Sequence, residues 1–183
     1  MTLVLGAFGW GLITVGAITH VWHHDRLRRL LALHLPFERG AAGALAGTEV
    51  ALGIGLFVAV LTEAWWLGTL AAFGVFVGIG FTLWIARLLL TGSALPCACS
   101  FSDAPTTAWS LVRAIAVTSV GLLGFVDDTL TGGEILAGFA VGLAAAAALY
   151  VLPESLAWPE ATRAQLARLD SHEPGAAGLA SDR

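Results

Sequence analysis

The sequence predicts an all-α integral membrane bundle of about five transmembrane helices, a four-helix core plus one. Three observations lead there. Of the 183 residues, 57% are hydrophobic and 12% are charged, about half the charged fraction of a soluble domain of this length. Apolar runs of about 20 residues, the length a helix needs to cross the hydrocarbon core, recur along the chain. The charges are gathered in the connecting segments and the tail, and mean hydropathy is +0.83. The solvent for such a chain is the lipid bilayer. A net charge of -4 describes loops and tail. No basic patch is interleaved with aromatics, so nucleic acid is excluded as a partner.

The first span is Thr2 to Trp22. It lacks the basic flank and small-residue cleavage site of a signal peptide and reads as a retained helix. His23 to Gly40 carries Asp25, Arg26, Arg28, Arg29, Glu38 and Arg39, with Leu27, Leu30, Leu31 and Leu33 between them. That spacing predicts a short amphipathic helix along the interface, ended by Pro36. Ala41 to Thr62 is the second span, and Glu63-Ala64-Trp65-Trp66 is a tight turn with interfacial tryptophans. Leu67 to Leu90 is the third span, and a polar loop over residues 92–108 follows. Trp109 to Val126 is the fourth, Asp127 to Gly133 an acidic turn, and Glu134 to Leu152 the fifth.

Residues 1–152 thus form the transmembrane domain, and 153–183 a polar, largely disordered tail. Within the tail, Pro159 to Leu169 suits one helical segment with proline in its first turn. Small residues at four-residue spacing, Gly43 and Gly47, Gly74 and Gly78, Gly138 and Gly142, suit close helix approach in lipid and also fit a helix-mediated oligomer.

All nine cationic residues are arginine. Arg26, Arg28, Arg29 and Arg39 lie in the first loop, Arg87 and Arg113 border the third, and Arg163, Arg168 and Arg183 lie in the tail. With five alternating spans, all fall on one side, which the positive-inside rule makes cytoplasmic. The expected orientation is amino terminus out, carboxyl terminus and third loop in.

That third loop holds both cysteines of the chain, in Pro96-Cys97-Ala98-Cys99. Two cysteines in one loop are too few to staple a fold. A Cys-x-Cys disulfide closes a small strained ring, and strained disulfides are the more readily reduced ones. Arg87 and Arg113 flank the loop and favour the thiolate, the reactive form. The competing use is a metal site for zinc or copper, in which Cys97 and Cys99 are joined by His20, His23 and His24, spaced i, i+3 and i+4 at the end of the first span. Interfacial histidines among headgroups are the bland alternative.

Glu49 lies about 12 Å along the second span at 1.5 Å per residue. An acid at that depth is expensive and faces protein or a cavity. Pairing with Arg113 as a structural lock is one expectation, and moving protons for thiol chemistry is another. Asp103, Pro105, Thr106 and Thr107 read as turn and helix-start residues.

Taken together, these residues resemble the MauE/DoxX-like redox-associated membrane proteins of methylamine utilisation. The resemblance covers roughly Thr2 to Phe125 and rests on Glu49 with Gly53, on Pro96-Cys97-Ala98-Cys99, and on Trp109 with Arg113. The chain departs from the pattern at Ser100-Phe101-Ser102, where Phe-Gly would follow the second cysteine, and at Ala114, where an asparagine often stands. The resemblance implies thiol–disulfide exchange, with Cys97, Cys99, Glu49 and Arg113 as the working residues. The redox-active group is the cysteine disulfide, and a quinone or a metal stays open as a further cofactor. It also implies a thioredoxin-like or client partner protein and a bacterial inner membrane. Exported partners would meet the thiols outside, whereas the arginine count puts them inside, so both placements stay open. Redox proteins of the disulfide-bond and vitamin K epoxide reductase type are a looser analogy.

Three functions follow from different readings of the same residues: a membrane thiol–disulfide oxidoreductase, a metal-handling membrane protein, and a non-catalytic assembly partner with incidental cysteines.

Overall fold

A computed structural model describes residues 1–32, 38–91, 107–126 and 129–171. The described residues are helical apart from turns and caps, with no strand among them. The elements are α1 (Thr2–Trp22), α2 (His24–Ala32), α3 (Glu38–Leu61), α4 (Leu67–Leu90), α5 (Ala108–Val117), a 3-10 segment (Thr118–Phe125) and α6 (Gly132–Ser171). Five stretches are long and apolar enough to cross a membrane: Thr2–Trp22, Gly40–Leu61, Leu67–Leu90, Ala108–Phe125 and Gly132–Leu152. The expected five-span bundle is therefore what the chain forms. It divides into two compact units, Met1–Tyr150 and Val151–Arg183.

Within the first unit α1 is the central helix. Two thirds of its span (67%) is buried, against 22% for α4. Its sequence allows this because glycine and alanine alternate with bulky residues, so neighbouring backbones come close. A Cβ on Gly9 would overlap the Val120 backbone nitrogen, and one on Gly142 would overlap the Ala7 carbonyl carbon. Larger residues fill the remaining space. Trp10 meets Phe139 edge-on at 4.6 Å and stacks with Phe57 at 5.8 Å, and its indole N–H donates to the Gly53 carbonyl at 2.7 Å.

Of the predicted small-residue pairs, two work inside the molecule. Gly74 and Gly78 admit Val120 and Thr118, and Gly138 and Gly142 admit Leu3 and the Ala7 backbone. Nothing lies within 4 Å of a Cβ placed on Gly43 or Gly47. Gly142→Val is accordingly expected to cost about 1–3 kcal/mol through overpacking, while Gly43→Ala and Gly47→Ala stay near neutral. Thermal unfolding of the three variants in one detergent checks the contrast.

The fourth span is short, and its second half is a 3-10 helix rather than the continuous helix the pattern suggests. At 1.5 and about 2.0 Å per residue, α5 and the 3-10 segment together reach about 31 Å, the thickness of the hydrocarbon core. The tighter winding brings Ser119 to α1, where its hydroxyl donates to the Leu5 carbonyl at 2.9 Å.

The predicted turn after the second span is a Schellman-type stop. Ala64 N–H donates to Ala59 O at 2.9 Å, Glu63 N–H donates to Val60 O at 3.5 Å, and Glu63 takes φ = 50°. A side chain in this left-handed region costs about 1–2 kcal/mol, so Glu63→Gly is expected to raise the unfolding midpoint and Glu63→Val to lower it.

The amphipathic helix forms as α2. Leu27 is buried against Ala42 of α3, with Leu31 and Leu45 packed beside them. Pro36, assigned as its terminator, lies outside the described residues. At the start of the last span, Thr131 N–H and hydroxyl each donate to Glu134 at 2.8 Å, a side-chain cap on the first turn.

In the second unit, the helical segment expected over Pro159 to Leu169 is longer. Helix α6 continues unbroken to Ser171, and residues 172–183 lie outside the described residues. Proline lacks an N–H and usually kinks or breaks a helix. Pro153 does not end this one, and a donor from α5, described below, takes over the carbonyl that Pro153 leaves bare.

Candidate functional site

The C-terminal end of α1, the N-terminal half of α3, the C-terminal half of α4, the start of α5 and the end of the fifth span meet at one end of the bundle. A cavity of about 40 Å³ lies between them, walled by Leu12, Ile13, Phe81, Ile85 and Val117 and reached by His20, Glu49, Ser110, Arg113 and Tyr150. The volume suits one or a few waters.

Each polar residue is placed by its helix. His20 is on the last full turn of α1, and its ring stacks near Phe81 at 6.0 Å. Glu49 projects from α3, and its Oε2 lies 2.5 Å from His20 Nδ1. Their relative exposures are 2% and 3%. A contact this short between two buried polar atoms requires a proton between them, whichever atom formally holds it. Because Nδ1 faces the carboxylate, Nε2 is the other hydrogen-bonding atom of the ring.

Arg113, 5% exposed, comes from the second turn of α5. Its Nε donates to the Leu149 carbonyl at 3.0 Å and its Nη2 to the Tyr150 carbonyl at 2.8 Å. The guanidinium carbon also lies over the Tyr150 ring, 4.6 Å from its centre. The Leu149 carbonyl is the one four residues before Pro153, so helix geometry supplies it no donor. In the membrane interior an unsatisfied carbonyl costs several kcal/mol, and the arginine removes that cost.

The expected Glu49–Arg113 lock is therefore replaced by two separate arrangements. Glu49 takes His20, the nearest donor across the α1–α3 seam, and Arg113 serves α6. All three side chains still line the same cavity. Two residues that the sequence did not single out complete it. Tyr150 is the only tyrosine in the chain, and its hydroxyl oxygen lies 3.3 Å from where a Cβ on Gly16 would stand. Ser110 accepts from the Thr107 N–H at 3.4 Å, at the point where α5 begins.

Cys97 and Cys99 lie outside the described residues, as do Asp103, Pro105 and Thr106. The loop that carries them leaves α4 after Thr91 and re-enters at Thr107. Arg113 lies five residues inside α5, about 7.5 Å from its start at 1.5 Å per residue. Of the proposed metal ligands, His20 has its Nδ1 committed to Glu49, and His23 is the capping residue after α1. His24 begins α2. No group of three His, Cys, Asp or Glu side chains among the described residues is arranged to hold a metal ion.

Five apolar helices around a buried polar cluster define a multi-pass helical membrane protein. Residues 1–127 match the family model described as methylamine utilisation protein MauE. The match spans more than half the chain, and the protein belongs to the MauE family. Neither curated proteins nor solved structures give a significant match.

Proposed function

We propose that this MauE-family protein is a membrane thiol–disulfide oxidoreductase that uses Cys97 and Cys99 to mature a partner protein. The observation that carries the reading is the buried His20–Glu49 pair, held beside Arg113 at the end of the bundle from which the cysteine loop emerges. Ionisable groups at membrane depth are costly and are kept for function. The family description points to a client in methylamine utilisation.

A client dithiol is the reductant in the exchange. A client thiolate attacks one sulfur of the Cys97–Cys99 disulfide, breaking the S–S bond and forming a mixed disulfide. The second client thiolate then attacks the client sulfur of that bond. The client leaves as a disulfide, oxidised by two electrons, and Cys97 and Cys99 leave as thiols that take up the two client protons. Arg113 contributes positive charge that favours thiolate over thiol. His20 and Glu49 place an imidazole and a carboxylate in hydrogen-bond contact, the pair of groups that would relay those protons.

The test is oxidation of a reduced dithiol peptide by the protein reconstituted in vesicles. Cys97→Ser with Cys99→Ser is expected to lower the rate at least 100-fold while leaving the unfolding midpoint unchanged. Undiminished oxidation by the double variant would refute the reading.

A further inference from the structure

On its lipid side the α1–α3 seam is hollowed into a cleft that has Glu49 as its one lining residue in common with the polar cavity. Two adjoining hollows of about 250 and 390 Å³ share Ala17, Ile18 and Val50. The cleft runs from Trp10 and Phe57 at its inner end to Val21 and Trp22 at its outer end. From Trp10 to Trp22 is 12 residues, about 18 Å at 1.5 Å per residue. One leaflet's share of a hydrocarbon core of about 30 Å is about 15 Å. The cleft is thus as deep as one leaflet.

Three of its polar side chains already make hydrogen bonds. The Trp10 indole donates to Gly53 O, the Thr14 hydroxyl donates to Trp10 O, and Glu49 faces His20. The occupant that suits this lining is an apolar chain without hydrogen-bonding demands.

At the outer end the chemistry changes sign. After Trp22 the chain passes through His23 into α2, which carries Arg26, Arg28 and Arg29 against Asp25 alone. Burial of Leu27 against Ala42 of α3 fixes how α2 is rolled. With that roll, Arg28 is half-buried and Arg29 exposed. The Arg29 Nε donates to the Asp25 carbonyl at 3.3 Å, which holds the guanidinium along the helix. A cationic helix thus sits just past the mouth of a leaflet-deep apolar cleft.

We propose that this cleft is a binding site for an anionic phospholipid, with one acyl chain between α1 and α3 and the phosphate on Arg28 and Arg29 of α2. Charge complementarity selects the anionic headgroup, and the depth of the cleft selects a diacyl lipid over a soluble phosphate.

The experiment uses the full chain in a zwitterionic detergent, with native mass spectrometry and thermal unfolding as readouts. Phosphatidylglycerol and phosphatidylcholine of identical acyl chains are added separately, and glycerol phosphate is a third arm. The expected result is at least five-fold preferential retention of phosphatidylglycerol, a higher unfolding midpoint with it, and no effect of glycerol phosphate. Arg28→Gln with Arg29→Gln should remove the preference between lipids but not the residual binding of either. Ile18→Trp, which fills the cleft from an exposed position, should reduce retention of both.

Equal retention of the two lipids by the unmodified protein would overturn the proposal. So would a glycerol phosphate effect equal to that of the lipid. A dimer that binds lipid only on dissociation would assign the cleft to a second copy instead.

Discussion

Arg113→Ala is expected to destabilise the bundle by about 3 kcal/mol or more. Three losses coincide. The Leu149 carbonyl loses the donor that replaces the missing N–H of Pro153, the Tyr150 carbonyl loses its contact with Nη2, and the Tyr150 ring loses its cation. The Leu149 carbonyl, left unsatisfied in a lipid-surrounded interior, costs several kcal/mol, the Tyr150 carbonyl loses a second donor, and a cation over a desolvated ring adds about 2 kcal/mol. Arg113→Lys should recover only part of this, because an ammonium lacks the fork that reaches two carbonyls at once. Pro153→Ala returns an N–H to the Leu149 carbonyl. In the Arg113→Ala background it should restore about 1 kcal/mol, the net worth of one hydrogen bond. Denaturant titration of the four proteins in bilayer-like micelles measures this. Identical losses with and without Pro153 would show that the arginine does not serve the proline-freed carbonyl.

The second large effect is at His20 and Glu49. Removing one partner of a buried pair leaves an uncompensated polar group and costs about 3–5 kcal/mol. Glu49→Leu and His20→Leu alone are each expected to fall in that range. Replacing both with leucine is expected to return stability close to the parent, since an apolar pair of similar volume is often neutral or better than the buried pair it replaces. The double variant therefore separates structure from chemistry. It should fold and still lose most of its thiol–disulfide activity if the pair handles protons. A folded double variant with full activity would make the pair purely structural.

These expectations rest on features of unequal legibility. Five spans, the amphipathic connection and the Glu63 turn can be read directly, because hydrophobic length, leucine spacing and turn chemistry are local properties. Glu49 also stands out, since an acid within an apolar run is rare. Its partner does not. His20, Arg87 and Arg113 all fall near the same membrane level, and charge alone favours an arginine. The choice of His20 depends on which helices share a seam, and that follows from small residues such as Gly53, which lets Trp10 and Thr14 of α1 approach α3 and whose partners are far away in sequence.

Tyr150 is hidden for a similar reason. A tyrosine near a span end reads as an interfacial anchor, and nothing local shows that its ring sits under a guanidinium. The role of Arg113 has a sequence signal in retrospect: a proline four residues beyond Leu149 at the end of the last span leaves a carbonyl bare at membrane depth. The 3-10 winding after Val117 has no local sequence signal either. It answers a length deficit in the fourth span, visible only once the thickness that the neighbouring helices impose is known.

The cysteine pair remains the centre of the functional reading, and trapping its redox state tests that reading most directly. Membranes containing the protein are quenched with acid, alkylated with a mass-adding maleimide, and resolved on a gel, in parallel with a Cys99→Ser variant. Cys97 and Cys99 in the parent are expected to gain label only after reduction, and Cys99→Ser is expected to accumulate a reducible mixed disulfide with another protein through Cys97. Two cysteines that label fully without reduction, together with a Cys99→Ser variant that forms no mixed disulfide, would contradict that reading.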